Sequence, residues 1–138
     1  MKIVVFQIGT EYFGVEAERA RAIIKNTDVT RFSVSHSPDI IGILNYDEDM
    51  IPIIDLYKKV QAEPLDLTNV PYLIIVCFNY KMMALPVDKM DRYYKIDSSH
   101  LYDIPSLLQN SKVRYFRKIA NLDGRLVLII DPVQLFGK

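Results

Sequence analysis

Gly42-Ile43-Leu44-Asn45-Tyr46-Asp47-Glu48-Asp49-Met50-Ile51-Pro52-Ile53-Ile54-Asp55-Leu56 is the stretch whose reading decides the fold. Ile43 to Tyr46 and Met50 to Ile54 are bulky, largely β-branched runs that suit a pleated, half-buried surface. The three acids between them cannot be buried unpaired, so they form the solvated tip of a hairpin. Pro52 lacks a backbone donor, which argues for an edge or bulge position in the second strand. Asp55 stands where a carboxylate can accept the free amides of a helix start, with Leu56 to Val60 as that short helix.

The same pattern is written again near the C-terminus. Ile119-Ala120-Asn121-Leu122-Asp123-Gly124-Arg125-Leu126-Val127-Leu128-Ile129-Ile130-Asp131 aligns with Ile43 to Asp55 without a gap. Asp123-Gly124 is a strong turn signal, and Asp131-Pro132 places a capping acid before a residue suited to the first helical position. Two copies are too few for a solenoid, which needs three or more stacked units. They point to a duplicated β unit, two small barrels in one compact domain.

The 138 residues suffice for one domain with a substantial core, and not for two independent ones. Lys plus Arg and Asp plus Glu both number 17, so the chain lacks the positive surface that nucleic acid or an anionic membrane requires. The single cysteine, Cys77, lies in an apolar run and reads as a buried thiol in a reducing compartment. No apolar run approaches the ~20 residues that span a membrane. Met1-Lys2 leads straight into a strand rather than a signal peptide, so a cytoplasmic protein is expected.

Along the chain, Ile3 to Ile8, a turn at Gly9-Thr10-Glu11, and Tyr12 to Val15 read as a hairpin. Glu16 to Lys25 has the Ala, Glu and Arg content of a helix and the alternation of a strand, and reads as a helical turn followed by a strand. Val29 to Val34 reads as extended, and Pro38-Asp39-Ile40-Ile41 as one helical turn before the central hairpin. Gln61 to Asn69, polar and holding Pro64, is the connector between the copies. Val70 to Phe78 is the most hydrophobic run and reads as a central buried strand. Asn79-Tyr80-Lys81 turns, Met82 to Val87 returns, Asp88-Lys89-Met90 turns again, and Arg92 to Ile96 is extended. Ser98 to Lys112 is poorly patterned, a loop with a helical turn around Ser106 to Gln109. Strands separated by short turns, with little sustained helix, describe an all-β barrel protein.

Enzyme chemistry finds little support. His36 and His100 are far apart in sequence, each near serines and with no second ligand cluster, so no metal site is indicated. There is no phosphate-cradling glycine motif, and Cys77 with a distant histidine is not a recognisable nucleophile pair. Asp55 and Asp131 are more economically helix caps than an acid/base pair. The aromatics read as core packing, except that Tyr93-Tyr94 and Tyr115-Phe116 place one residue of each pair on the outer side of a strand.

The central stretch, Gly42-Ile43-Leu44-Asn45 followed by Ile51-Pro52-Ile53-Ile54-Asp55-Leu56, resembles the signature of the CheW-like domain family, the coupling proteins of bacterial chemotaxis. Phe6-Gln7-Ile8-Gly9 and Tyr12-Phe13-Gly14-Val15 resemble the family's opening hairpin, and Pro38 falls at the proline that precedes its Gly-x-x-Asn strand. Leu85-Pro86-Val87-Asp88-Lys89-Met90 and Ile119 to Leu135 resemble its later motifs. The resemblance covers nearly the whole chain and implies one CheW-like domain, 1–138, of two interleaved SH3-like five-stranded β-barrels with a few short helical turns. The barrels would comprise approximately 12–68, and 1–11 plus 69–138. It implies a non-enzymatic cytoplasmic adaptor, without cofactor, that links the chemoreceptor cytoplasmic tip to the regulatory domain of the histidine kinase CheA, with no nucleic acid partner and no direct membrane insertion. A small β-barrel module that binds another protein or a peptide is the alternative.

By residue-to-residue transfer the partner-binding positions are Ala20, Ala22, Gly42, Asn45, Asp47, Leu85 and Asp88. The departures are informative. Where the family usually has Asn-Leu-Arg-Gly this chain has Asn45-Tyr46-Asp47-Glu48, and the family's Val-x-Glu aligns with Ala20-Arg21-Ala22. Both ends of one ion pair are therefore replaced, and the family's later glycine is Lys118. With the turn glycine gone, the tip is expected to avoid the backbone conformation that glycine permits. The implied result is a divergent adaptor whose partner face is re-tuned.

Overall fold

The computed structural model describes residues 1–26, 29–31, 39–60, 62, 67–104 and 113–136. Their strands are β1 (Lys2–Ile8), β2 (Glu11–Glu16), β3 (Ala20–Lys25), β4 (Val29–Arg31), β5 (Ile40–Tyr46) and β6 (Asp49–Ile54). They continue as β7 (Tyr72–Phe78), β8 (Lys81–Val87), β9 (Lys89–Lys95), β10 (Leu101–Tyr102), β11 (Phe116–Leu122) and β12 (Arg125–Ile130). Two short helices, α1 (Leu56–Lys59) and α2 (Pro132–Phe136), follow β6 and β12. The Glu16 to Lys25 segment resolves into a 3-10 turn at Ala17–Arg19 and then β3.

The strands form two six-stranded sheets. Sheet A runs β10-β11-β12-β2-β1-β9 and sheet B runs β4-β5-β6-β8-β7-β3. The two orders are the same arrangement built twice, and the registers agree in detail. Each sheet has one parallel pairing, which sets Ile129 against Gly14 in A and Ile53 against Ala84 in B. One edge pairing of each sheet carries a register shift at the same place, between Val4 and Phe6 along β1 against β9, and between Ala20 and Ala22 along β3 against β7. The duplication therefore extends to the first hairpin of each half, β1–β2 and β7–β8. These hairpins are exchanged: β1–β2 joins the sheet made by the later strands, and β7–β8 joins the sheet made by the earlier ones.

The helix caps repeat as well. Asp55 N–H donates to the Asp39 carbonyl at 2.8 Å, and Asp131 N–H donates to the Tyr115 carbonyl at 2.8 Å. The Asp55 carboxylate accepts from Lys58 N–H and the Asp131 carboxylate from Val133 N–H, each at 3.0 Å. Such caps satisfy amides that the first helical turn leaves without partners.

Alternation along the strands fills three core clusters. The central one joins both sheets: Phe6, Phe13 and Phe116 stack with ring centroids 5.9 and 5.5 Å apart, against Ile74, Val76, Leu85, Leu56 and Leu135. Ile3, Val5, Val127 and Ile129 fill a second cluster on sheet A. Leu44, Ile51, Ile53, Leu73 and Ile75 fill a third on sheet B. β7 thus sends Ile74 and Val76 to one core and Leu73 and Ile75 to another, which is why its sequence is apolar at nearly every position. Each fully buried side chain of this size contributes about 1.5–3 kcal/mol.

Several expectations are corrected. Neither sheet closes into a barrel among the described residues, and each holds six strands rather than five. Pro52 lies in β6, an interior strand between β5 and β8. It is accommodated because the ladder to β8 is confined to Ile53 with Ala84, and a register shift lies beside it in β5. Ile40 and Ile41 are already strand rather than helical turn, and β9 starts at Lys89, directly after Asp88. The turn expected to avoid left-handed backbone does the opposite: Asp47 and Glu48 have φ of 52° and 69°. The right-handed twist of the flanking strands selects this two-residue turn, and that selection outweighs the local cost. The end of the extended stretch expected over 29–34, the start of the helical turn expected at 38, and the helical turn expected at 106–109 lie outside the described residues.

Candidate functional site

The register fixes which residues share one end of sheet B. β6 and β8 are parallel, so their starts, and hence the β5–β6 and β7–β8 turns, lie at the same end. β3 is antiparallel to β7, with Ala20 opposite Val76, so β3 and the turn at Ala17–Arg19 begin there too. Ala20, Asn45 and Asp47 are therefore gathered at this end. Asn45 and Asp47 are exposed and Ala20 is partly covered. Ala22, one step further along β3, packs on the same core cluster as Tyr46, the neighbour of Asp47.

The remaining transferred positions are placed differently. Leu85 is fully buried in the central core, and Gly42 is buried between Arg31 of β4 and Ile53 of β6. Neither presents a side chain to a partner in this state. Asp88 sits between the sheets. Its carboxylate accepts the Gly9 N–H at 2.6 Å and the Tyr57 hydroxyl, while its own N–H donates to the Gln7 carbonyl at 3.0 Å. Burial, and then the hydrogen bond and negative charge of Asp88, push the Tyr57 hydroxyl far above its ordinary pKa, so it stays a donor.

The two sheet ends differ in how their charges pair. At the sheet A end Arg125 is fully engaged. It donates to Asp91 at 3.1 Å and to the Tyr94 hydroxyl at 2.6 Å, and its guanidinium lies 4.4 Å from the Tyr12 ring centroid. Its pKa is raised, chiefly by the hydrogen bond with Tyr12. In sheet B the corresponding positions are Asp49 and Arg21, the same pair with the signs exchanged. Among the described residues they form no ion pair, and neither do Asp47 and Glu48. Met50, beside these acids, is 70% exposed. Sheet B thus ends in acids and bases that form no ion pair among the described residues, flanked by an exposed apolar side chain.

Between the Ala17–Arg19 turn and the β7–β8 turn lies a groove of about 520 Å³. Arg19, Arg21 and Lys81 border it, and Phe78, Cys77 and Met82 contribute its apolar lining. Cys77 is therefore partly exposed, not buried as its apolar run suggested. The groove was not legible in sequence, because its walls come from segments paired only in three dimensions.

Tyr93-Tyr94 divides as strand alternation requires, whereas Tyr115 ends a 3-10 turn before β11 and packs on the same central core as Phe116. Tyr93 is exposed and Tyr94 half-buried; Phe116 is buried, while Tyr115 is partly covered and engaged by Arg114 at 2.8 Å and by Lys59 at 4.8 Å from its ring centroid. His100 is exposed beside Asp97, and His36 is outside the described residues. Among the described residues no cluster of three or more His, Cys, Asp or Glu could hold a metal ion, and no helix is long and apolar enough to cross a membrane.

Comparison with known proteins bears on this arrangement. A family model described as CheW-like domain matches residues 2–138. The chain is similar to the probable chemotaxis protein CheW of Rhizobium etli, 25% identical over 138 residues that cover 99% of this chain and 88% of that protein. It is similar to the chemotaxis protein CheW of Bacillus subtilis, 23% identical over 137 residues, covering 99% and 87%. The crystal structure of the scaffolding protein TtCheW from Thermoanaerobacter tengcongensis matches with a TM-score of 0.85 at 26% identity, covering 99% of this chain and 92% of that one.

Proposed function

The chain belongs to the CheW-like domain family, a family of chemotaxis scaffolds and not of enzymes, and from that premise we propose that it couples a chemoreceptor's cytoplasmic tip to the regulatory domain of a CheA-type histidine kinase in the cytoplasm. The observation that carries the reading is the end of sheet B. There the fold gathers Ala20, Asn45 and Asp47 beside charges that form no ion pair among the described residues, while at the equivalent end of sheet A Arg125 is paired with Asp91. Charges left without partners in a scaffold are available to choose a partner, because like charges across an interface cost several kcal/mol.

Asp47 is the residue that decides partner choice in this reading. It stands exposed at a hairpin tip, where the resemblance implies an arginine, so it favours a basic counterpart. Leu85 and Gly42 support the surface from within, and Asp88 ties the β1–β2 turn to α1. Titration calorimetry against the CheA regulatory domain and a receptor tip fragment from the same genome tests the proposal. Micromolar binding to both is expected. Binding to neither by folded protein would overturn it in favour of a module that serves another protein or peptide partner, a reading that the reversed charge at Asp47 favours.

A further inference from the structure

The groove beside the β7–β8 turn has a chemistry of its own. Three cations line it, Arg19, Arg21 and Lys81, against one acid, Glu18, in a chain whose net charge is zero. None of the three cations has a carboxylate partner among the described residues. Arg19 is held with its guanidinium 5.0 Å from the Phe78 ring centroid, and its Nε is buried without a hydrogen-bond acceptor. A donor left in this state is costly unless a ligand supplies the acceptor. Phe78, Cys77 and Met82 offer apolar surface next to the cations. Tyr80, at the rim, stands fully out of the protein on a left-handed backbone of φ 63°.

We propose that this groove binds an acidic segment of a partner protein, with carboxylates facing Arg19, Arg21 and Lys81 and an adjacent apolar side chain seated against Phe78 and Met82. The volume fits two or three side chains and lies in the range of ordinary ligand sites. Charge complementarity selects the occupant: a basic segment would meet unpaired cations, and a purely apolar one would strip them of water without compensation. The proposal rests on the reading of the chain as a scaffold, but uses the opposite charge and a different wall of the sheet end from Asp47.

Cys77, the only cysteine, lines the groove and reports on its occupancy. The rate of Cys77 modification by a thiol reagent is followed while a short synthetic peptide alternating glutamate and leucine is titrated in, with a lysine–leucine peptide as control. The acidic peptide is expected to slow modification, the basic one to leave it unchanged, and added salt to weaken the protection. Arg21 and Lys81 are exposed, so Arg21→Gln with Lys81→Gln should leave thermal unfolding unchanged and weaken peptide binding about tenfold. Equal protection by both peptides, none by the acidic one, or no effect of the double substitution overturns the proposal. So does protection that grows with the protein's own concentration, which would make the occupant a second copy. Binding of the receptor tip and kinase domain is measured on the same variants. Retention of that binding together with failure of the peptide would overturn this inference and leave the coupling function standing.

Discussion

Glu48→Gly is expected to stabilise the protein. Glu48 is the second turn residue between β5 and β6 and is held at φ 69°, where its Cβ crowds the backbone; its counterpart in the second copy is Gly124, at φ 84°. A side chain in left-handed backbone costs about 1–2 kcal/mol. Glycine removes that cost but returns about 0.5–1 kcal/mol through the greater freedom of the unfolded chain. The net gain is about 0.5–1 kcal/mol, which for a chain of this length raises Tm by roughly 2–4 °C. Glu48 is exposed and has no hydrogen bond or ion pair among the described residues, so no such contact is lost. Glu48→Gln serves as control, since it removes the charge from the Asp47-Glu48-Asp49 cluster and keeps the strain. Gly124→Ala is the mirror experiment. A Cβ there would meet nothing within 4 Å, so any destabilisation, about 1 kcal/mol, comes from backbone alone. Thermal and urea unfolding read all three. An unchanged or lower Tm for Glu48→Gly, or an equal rise for Glu48→Gln, would refute the backbone argument.

Asp47→Arg is expected to alter affinity for the receptor tip or kinase domain in calorimetry while moving Tm by less than about 2 °C, because the residue is exposed and unpaired among the described residues. Tyr57→Phe should cost about 1 kcal/mol in urea unfolding, as the Asp88 carboxylate loses its hydroxyl donor and keeps the Gly9 N–H. The Asp97 carboxyl is held below its ordinary pKa, first by the Ser99 hydroxyl and then by His100. A lowered folded pKa gives stability that is present above the unfolded value and is lost as pH falls through the folded one. A carboxyl NMR titration should therefore show Asp97 ionising below the ordinary aspartate value, and Ser99→Ala should raise it toward that value.

What was legible in the sequence is what neighbouring residues decide among themselves. Asp123-Gly124 marked its turn, Asp55 and Asp131 marked their caps, and the alternation in Tyr93-Tyr94 assigned one inner and one outer ring. The duplication of β5–β6 was visible because both copies kept Ile, Asn and Asp at matching places. That of the opening hairpin was hidden, because Tyr12-Phe13-Gly14-Val15 and Met82-Met83-Ala84-Leu85 share backbone register and bulk rather than identity. Hairpin exchange could not be read at all: an apolar edge has the same composition whichever strand it meets. Closed barrels were expected because a repeated small β unit usually closes on itself, and here each set of strands spends an edge on the other half's hairpin instead. Of the transferred site residues, position along β8 alone could not separate Leu85 as core from an exposed neighbour, since both faces of that strand are covered. The left-handed turn at Asp47-Glu48 was not legible because strand twist, a property of the pair, imposed it on residues that do not favour it.

The exchanged hairpins have a consequence for how such a molecule could be divided. A fragment ending after α1 would hold β1–β2 without β9 or β12 to pair with, and would hold β3 and β6 without β7–β8. Two copies of that fragment carry every complementary edge, and by swapping their first hairpins would rebuild the whole outline as a symmetric dimer. The single chain is such a dimer with its subunits fused. What keeps the swap within one molecule is covalent continuity between the halves, which holds each hairpin at high effective concentration beside its only correct acceptor.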